Sequence, residues 1–166
     1  MYSLCFHDGS IDKTDVDKHR FISRVIKVWT RGRFSHVELF RGEMSFVDGK
    51  IVSDGKCFSA SGYENIVREK VIGFSHPEYW TIVKMPDEYD HVDATIRARC
   101  ASVLGAKYDY LGAIFSIKKN GPEVSTRYYC SEVCNHVLRW YPTGQSPEDL
   151  FNRAISKGGQ VINAKC

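Results

Sequence analysis

Residues 128–141, with the sequence YYCSEVCNHVLRWY, decide the fold prediction for this chain. Apolar side chains recur in this segment at intervals of three and four residues, which is the spacing of one face of an amphipathic helix. The positions on that face are Cys130, Val133, Cys134, Val137, Leu138 and Tyr141. The pattern predicts a helix that packs one face against a hydrophobic core and ends before Pro142 and Gly144.

Cys130 lies in the first turn of this predicted helix, and the sequence permits two interpretations of it. Cysteine is among the most buried residue types, so packing in the core is its ordinary role. A helix amino terminus and a nearby imidazole also favour the thiolate, which is the nucleophilic form. Cys134 lies one turn deeper, where the effect of the helix dipole has faded. Cys130 is therefore the candidate nucleophile, and Cys134 is the candidate core residue.

The candidate imidazole lies in residues 34–40, FSHVELF, where side chains alternate as they do in a half-buried strand. His36 and Glu38 leave the same side of this strand, with α-carbons about 6.6 Å apart. Phe34 and Phe40 flank them on that side. In a partly apolar groove, the carboxylate would hold the imidazole in one tautomer. The other interpretation is a solvent-facing strand side with scattered polar residues, and the sequence alone does not separate the two.

The rest of the chain predicts a mixture of helices and short strands. Helices are expected at residues 15–30, within residues 85–109 with Val92, Ile96, Cys100 and Leu104 at steps of four, and after a capping serine at Ser146. Strands are expected at residues 1–6, 66–74, 80–85 and 159–164, with VDGK (47–50) and SDGK (53–56) as hairpin tips. This order of elements predicts an α+β fold, with an antiparallel sheet or small barrel packed against helices.

The composition fits a single domain over residues 1–166. Hydrophobic residues at 43% and charged residues at 26% exclude a disordered chain, and the net charge of +3 is too small and too mixed to indicate a nucleic-acid partner. No stretch resembles a signal peptide or reaches the length of a membrane span. We therefore expect a cytoplasmic protein with no integral membrane segment, and we leave its oligomeric state open.

The six cysteines show no close-spaced framework, so we expect thiols and no disulfides in a reducing compartment. A zinc site is a further interpretation, because Cys130, Cys134 and His136 are close in sequence. On a helix His136 is rotated far from the side that carries the two cysteines, and the chain contains no Cys-x-x-Cys pair. We expect no metal site and no cofactor.

Six segments in this order resemble one known family. They are FSHVELF, CFSASG followed by VREK, WTIVKM, GAKYDYLGAIF, YYCSEVC and SPEDLF. Together they look like the circularly permuted branch of the NlpC-type, papain-like cysteine hydrolases, in the YiiX/YebB-like group of bacteria, phages and poxviruses. In that branch the histidine strand precedes the cysteine helix, as His36 precedes Cys130 here. The resemblance covers nearly the whole chain.

The resemblance implies a permuted papain-like fold in which Cys130 attacks an amide carbonyl and His36 acts as the general base. Relatives often carry a polar orienting residue on the strand after the histidine strand, and here CFSASG offers only serines. The orienting residue is therefore either Ser59 or, as we favour, Glu38, because an anion stabilises imidazolium better than a hydroxyl does. Tyr108, Tyr128 and Tyr129 are candidates for a groove wall, or for core packing.

Three functions follow as hypotheses. The first is a cysteine hydrolase of the peptidase or amidase kind, which acts on a peptide or another amide-containing substrate. The second is a lipid acyl hydrolase or transferase, since relatives of the permuted branch include lecithin:retinol acyltransferase-like enzymes. The third is a catalytically inactive binding or regulatory module of the same fold, because a fold does not fix a function.

Overall fold

The computed structural model describes residues 1–9, 32–115, 126–141 and 145–163. In this part of the chain the strands are β1 (Tyr2–His7), β2 (His36–Val47), β3 (Lys50–Ser61), β4 (Ile66–Lys70), β5 (Trp80–Lys84), β6 (Lys107–Tyr108), β7 (Arg127–Tyr128) and β8 (Gln160–Val161). The helices are α1 (Glu88–His91), α2 (Asp93–Val103), α3 (Tyr110–Phe115), α4 (Cys130–Leu138) and α5 (Pro147–Ser156), with a 3₁₀ turn at Pro77–Tyr79. The helix expected at residues 15–30 lies outside the described residues.

The eight strands form one sheet in the order β7, β6, β4, β3, β2, β1, β5, β8. All neighbouring pairs are antiparallel except β6 and β7, which run parallel. The sheet curls into a half-barrel and packs against helices, so the α+β class and the antiparallel sheet are confirmed.

The hairpin between β2 and β3 has its tip where the sequence predicts it. Asp48 and Gly49 have φ angles of 49° and 72°, and Val47 pairs with Lys50 across the turn. Positive φ at both central residues is the geometry of a tight hairpin turn, which Asp-Gly adopts at low steric cost.

The second expected tip, SDGK, is wrong, because residues 53–56 lie inside β3. Gly55 pairs directly with Gly42 of β2, and the two backbones approach closely at this crossing. A Cβ added to Gly55 would collide with the Arg41 carbonyl oxygen, and one added to Gly42 would collide with that of Asp54. The close approach of the two strands therefore explains why a glycine stands at position 55. Two strands of 12 residues replace the short strands that were expected here.

The strand expected at residues 34–40 begins two residues later than the pattern indicated, at His36. Phe34 precedes the strand and packs against Phe6 and Phe151, with ring centroids 5.2 and 5.1 Å away. It therefore does not flank His36 and Glu38. Phe40 does lie on their side of β2, where it is buried.

The sheet has a hydrophobic cluster on each face. Leu4 and Leu39 belong to the larger cluster, which includes residues of α4, whereas their neighbours Cys5 and Phe40 belong to a smaller one. Helix α4 packs across β2 and β3. Glu38 and Phe40 are each 1% exposed, so the interpretation of a solvent-facing side is wrong for these two residues.

Helix α4 begins at Cys130 as predicted and ends earlier than predicted. Its last helical residue is Leu138, and Arg139 follows with a φ of 56° in the left-handed region. The chain therefore leaves the helix before Tyr141, which is 64% exposed, while Trp140 is buried in the core. The apolar spacing therefore identifies buried residues as far as Leu138, and it is wrong for Tyr141, which lies beyond the end of the helix.

The second predicted helix is interrupted at Val92, which separates α1 from α2. Ile96 is buried and Cys100 packs against the core, but Val92 and Leu104 are exposed. The steps of four therefore identified only the central part of the buried face. The last helix is capped as expected, since the Ser146 hydroxyl accepts a hydrogen bond from the Asp149 amide at 3.2 Å. The last short strand is also confirmed as β8, which pairs with β5.

Candidate functional site

Cys130 is the first residue of α4, and local interactions fix the start of this helix. Tyr129 is the extended N-cap residue, with φ −103° and ψ 172°, and its amide donates to Glu132 Oε2 at 3.3 Å. This bond satisfies one of the amide groups that a helix start leaves without an intrahelical partner. The Cys130 thiol is therefore held in the first turn, where the helix dipole favours negative charge.

Cys134 lies one turn deeper and is fully buried. Burial raises the pKa of the Cys134 thiol well above its ordinary value, and the nearby charges of Cys130 and Glu38 act in the same direction. Cys134 therefore has the properties of a neutral core residue. His136, the third residue of the zinc hypothesis, packs its ring against Tyr128 at a centroid distance of 5.3 Å.

The imidazole of His36 contacts both the Cys130 thiol and the Glu38 carboxylate. His36 Nε2 lies 2.7 Å from Glu38 Oε1, and the Cys130 thiol lies close enough to the imidazole to raise its pKa. Since Nε2 is engaged by the carboxylate, Nδ1 is the ring nitrogen left for the thiol. The first residue of β2 and the first residue of α4 are thus brought into contact, although they are distant in sequence.

The charges around His36 favour its protonated form. Burial lowers the pKa of the imidazole, but the negative charge of Glu38 and the hydrogen bonds with Cys130 and Glu38 outweigh this effect. Together they raise the pKa of His36 from 6.5 to about 10. At neutral pH the site therefore contains an imidazolium beside the Cys130 thiol. The His36 side chain is 28% exposed, whereas Cys130 is 2% exposed, so the imidazole is the more accessible of the two groups.

Glu38 is the most deeply buried charge in this group, with 1% exposure. Arg68 of β4 donates to both of its carboxylate oxygens, from Nη1 at 2.7 Å and from Nη2 at 2.5 Å. Burial raises the pKa of Glu38, but the hydrogen bonds from Arg68 and the charge of His36 reverse the effect and lower it from 4.5 to about 2. The carboxylate therefore stays ionised between two cations.

Ser59, the alternative orienting residue, does not face the imidazole. Its hydroxyl donates to the Val37 carbonyl oxygen at 2.7 Å. The structure therefore brings Cys130, His36 and Glu38 together and leaves Ser59 in a backbone hydrogen bond on β3. The three candidate groove tyrosines, Tyr108, Tyr128 and Tyr129, are all buried in the larger core cluster.

Arg68 is the residue of this site that the sequence prediction missed. The sequence contains a usable signal, because Arg68 lies in VREK, four residues after the CFSASG segment, and in the register of β3 and β4 it pairs with Ser59. A buried carboxylate requires a cationic partner, and an arginine two strands away, beyond Ser59 of β3, is suited to bidentate contact. The prediction considered only anionic and hydroxyl partners for His36.

A cleft of about 610 Å³ lies elsewhere, between α2 and the strands β2 and β3. Leu39, Phe58 and Ala98 give it an apolar lining, and Arg41 and Arg97 are among its charged residues. None of Cys130, His36, Glu38 and Arg68 lines this cleft. It is therefore a feature separate from the thiol and imidazole.

No family model matches this chain, and neither a curated protein nor a solved structure does. The permuted papain-like resemblance thus remains a prediction from the quoted segments. Within the described ranges, no group of three His, Cys, Asp or Glu residues is placed to hold a metal ion. None of the helices in those ranges has the length and apolar composition to cross a membrane.

Proposed function

We propose that this chain is a cysteine hydrolase of the permuted papain-like kind, with Cys130 as nucleophile, His36 as the proton-transfer residue and Glu38 as the orienting residue. The observation that carries the proposal is the contact of one imidazole with both a thiol at a helix start and a buried carboxylate. That is the arrangement of nucleophile, base and orienting group that acyl-transfer sites share on unrelated folds.

The mechanism follows from the charges of these groups. An imidazolium next to the thiol favours the thiolate, which attacks an amide carbonyl and forms a tetrahedral intermediate. Backbone amides at the start of α4 are the natural donors to the developing oxyanion. His36 then gives its proton to the leaving amine and an acyl-enzyme forms. Water, activated by the neutral imidazole, releases the acyl group and restores the thiolate.

The first test is the alkylation rate of Cys130 by iodoacetamide between about pH 4 and pH 9, read by peptide mass spectrometry. A small reagent is needed because Cys130 is 2% exposed. We expect a rate that stays high well below the ordinary thiol pKa of about 8.5. In His36→Ala the rate near pH 6 should fall by about tenfold or more, since the cation is lost.

Two variants control this experiment. His91→Ala removes an exposed histidine on α1 and should leave the rate unchanged. Cys134→Ala should reduce stability, because it leaves a cavity in the core, while Cys130 keeps its reactivity. If Cys134→Ala alone removes the reactive thiol, the assignment of the nucleophile is wrong. A slow rate in the unaltered protein that rises only near the ordinary thiol pKa would favour the inactive binding module.

Lipid acyl hydrolysis or transfer by the same Cys130 and His36 is the second candidate function, because a thiolate attacks an ester carbonyl as well as an amide carbonyl. A panel of peptidyl amides and acyl esters separates the two chemistries, with Cys130→Ala as the blank. Release of amine supports the peptidase or amidase function, and release of fatty acid supports the lipid function.

A further inference from the structure

We propose that Arg68 is a positioning residue of this site: its two-point contact with the Glu38 carboxylate keeps that group charged and directed at His36, and through His36 it governs the Cys130 thiol. The effect on the Cys130 thiol rests on the proposed function. The effect of Arg68 on Glu38 and His36 does not depend on it.

The geometry of the Arg68 contact is specific. Both guanidinium nitrogens Nη1 and Nη2 donate, one to each oxygen of Glu38, and Oε1 also contacts His36 Nε2. A bidentate contact fixes the plane of the carboxylate as well as its position. Arg68 on β4 therefore fixes the rotamer of Glu38. Glu38 in turn sets the direction in which it holds the His36 ring.

The arginine is itself held from its outer side. Arg68 Nε donates to Glu64 Oε2 at 2.9 Å, and Lys70 Nζ donates to Glu64 Oε1 at 2.8 Å. Charges therefore alternate in sign from Glu64 through Arg68 and Glu38 to His36. The Arg68 side chain is 11% exposed, so water screens its contact with Glu38 only weakly.

Several elements place ionisable groups near Glu38, and these groups differ in charge. They are Cys5 on β1, Cys57 on β3, Arg68 on β4, Cys134 on α4 and His36 on β2. Burial raises the pKa of each of the three thiols, so these groups stay neutral. Among the described residues, Arg68 and His36 are thus the cations that act on this carboxylate.

Loss of Arg68 would change both the pKa of Glu38 and the net charge of the site. Glu38 would keep one cation, and a buried carboxylate with fewer positive partners takes up a proton at higher pH. The site would also change from two cations and two anions to one cation and two anions when the thiol is ionised. The thiolate would then be less favoured, so the acidic limb of Cys130 alkylation should move to higher pH.

The experiment compares Arg68→Gln, Arg68→Lys and Lys70→Gln with the unaltered protein. Lys70→Gln is the matched control, because Lys70 lies on the same strand and also binds Glu64, but does not contact Glu38. Two quantities are measured on folded protein: the titration of the Glu38 carboxyl carbon by ¹³C NMR, and the pH at which Cys130 alkylation reaches half of its maximal rate.

We expect Arg68→Gln to raise the pKa of Glu38 and the alkylation midpoint, each by about one pH unit, which is about tenfold in rate on the acidic limb below the midpoint. Arg68→Lys keeps the charge without the two-point contact, so it should fall between Arg68→Gln and the unaltered protein. It also keeps the inference testable if Arg68→Gln fails to fold. Lys70→Gln should match the unaltered protein in both quantities.

The outcomes are distinguishable. A purely structural arginine would lower the melting temperature of its variants and leave the alkylation profile of the folded protein unchanged, which would overturn the inference. If the unaltered protein lacks a thiol that reacts at low pH, the proposed function fails. In that case the Glu38 titration still tests the first step. A raised pKa of Glu38 in Arg68→Gln, and a smaller rise in Arg68→Lys, would support the contact of Arg68 with Glu38, and the absence of a shift would overturn it.

Discussion

The two ends of strand β2 are built from similar residue types and have opposite environments. At one end Glu38 is buried and lies between His36 and Arg68. At the other end Glu43 is exposed and pairs across the hairpin with Asp54. A carboxylate with two cations remains charged inside the protein, and one with an acidic cross-strand neighbour requires solvent. The polar pattern of a strand therefore does not show which of its charges are buried.

The largest difference is expected from removing the charge at each end. Glu38→Gln should lower the free energy of unfolding by about 3 to 5 kcal/mol, because it leaves the Arg68 guanidinium without its buried counter-ion. Glu43→Gln should change it by no more than about 0.5 kcal/mol, or slightly stabilise, since it relieves repulsion from Asp54. Urea denaturation followed by circular dichroism measures both. Equal costs for the two variants would contradict the comparison.

A smaller difference is expected between the glycines of the β2–β3 hairpin. Gly55→Ala places a methyl group against the Arg41 carbonyl and the Phe40 ring, so it should cost about 2 kcal/mol or more. Gly49→Ala at the tip meets no neighbouring atom and bears only the strain of its φ of 72°, about 1 kcal/mol. Thermal unfolding of the two variants tests the order, and a larger loss for Gly49→Ala would show that the crossing is looser than described.

The smallest expected effect is a pH dependence of the free energy of unfolding, which arises from His36 and Glu38 at the buried end of β2. The raised pKa of His36 stabilises the fold fully below pH 6.5, and this contribution disappears as the pH rises towards about 10. The lowered pKa of Glu38 stabilises the fold above pH 4.5, and this contribution disappears as the pH falls towards about 2. Both are present between about pH 4.5 and pH 6.5.

The stability difference between the unaltered protein and His36→Ala should therefore shrink above pH 6.5, by on the order of 1 kcal/mol after solvent screening. His91→Ala serves as the control and should follow the unaltered protein across the same range. Denaturant midpoints at about one-unit pH intervals supply the measurement. A difference that stays constant up to pH 10 would mean that His36 carries no stabilising charge.

The sequence predicted the elements whose signals are local. The α4 stripe, the Asp-Gly tip and the Ser146 cap depend on neighbours within four residues, and all three were found. The SDGK tip failed because Gly55 serves a contact with Gly42 on another strand. Arg68 was missed for the same reason, since its partner lies on β2 and only the sheet register brings the two together. The pairing of Cys130 with His36 came from the family resemblance, because periodicity gives no distance between elements.

The parallel pairing of β6 and β7 has a consequence for how the protein is made. It joins Tyr108 to Tyr128, two residues before Cys130, and β6 in turn pairs with β4, which carries Arg68. The thiol, the imidazole and the arginine thus come from three distant stretches of chain, and such long-range contacts form late and cooperatively. A nascent chain that has not yet emerged as far as α4 holds no assembled site. We therefore expect ribosome-bound fragments to lack the proposed reactive thiol until α4 has emerged and docked on the sheet.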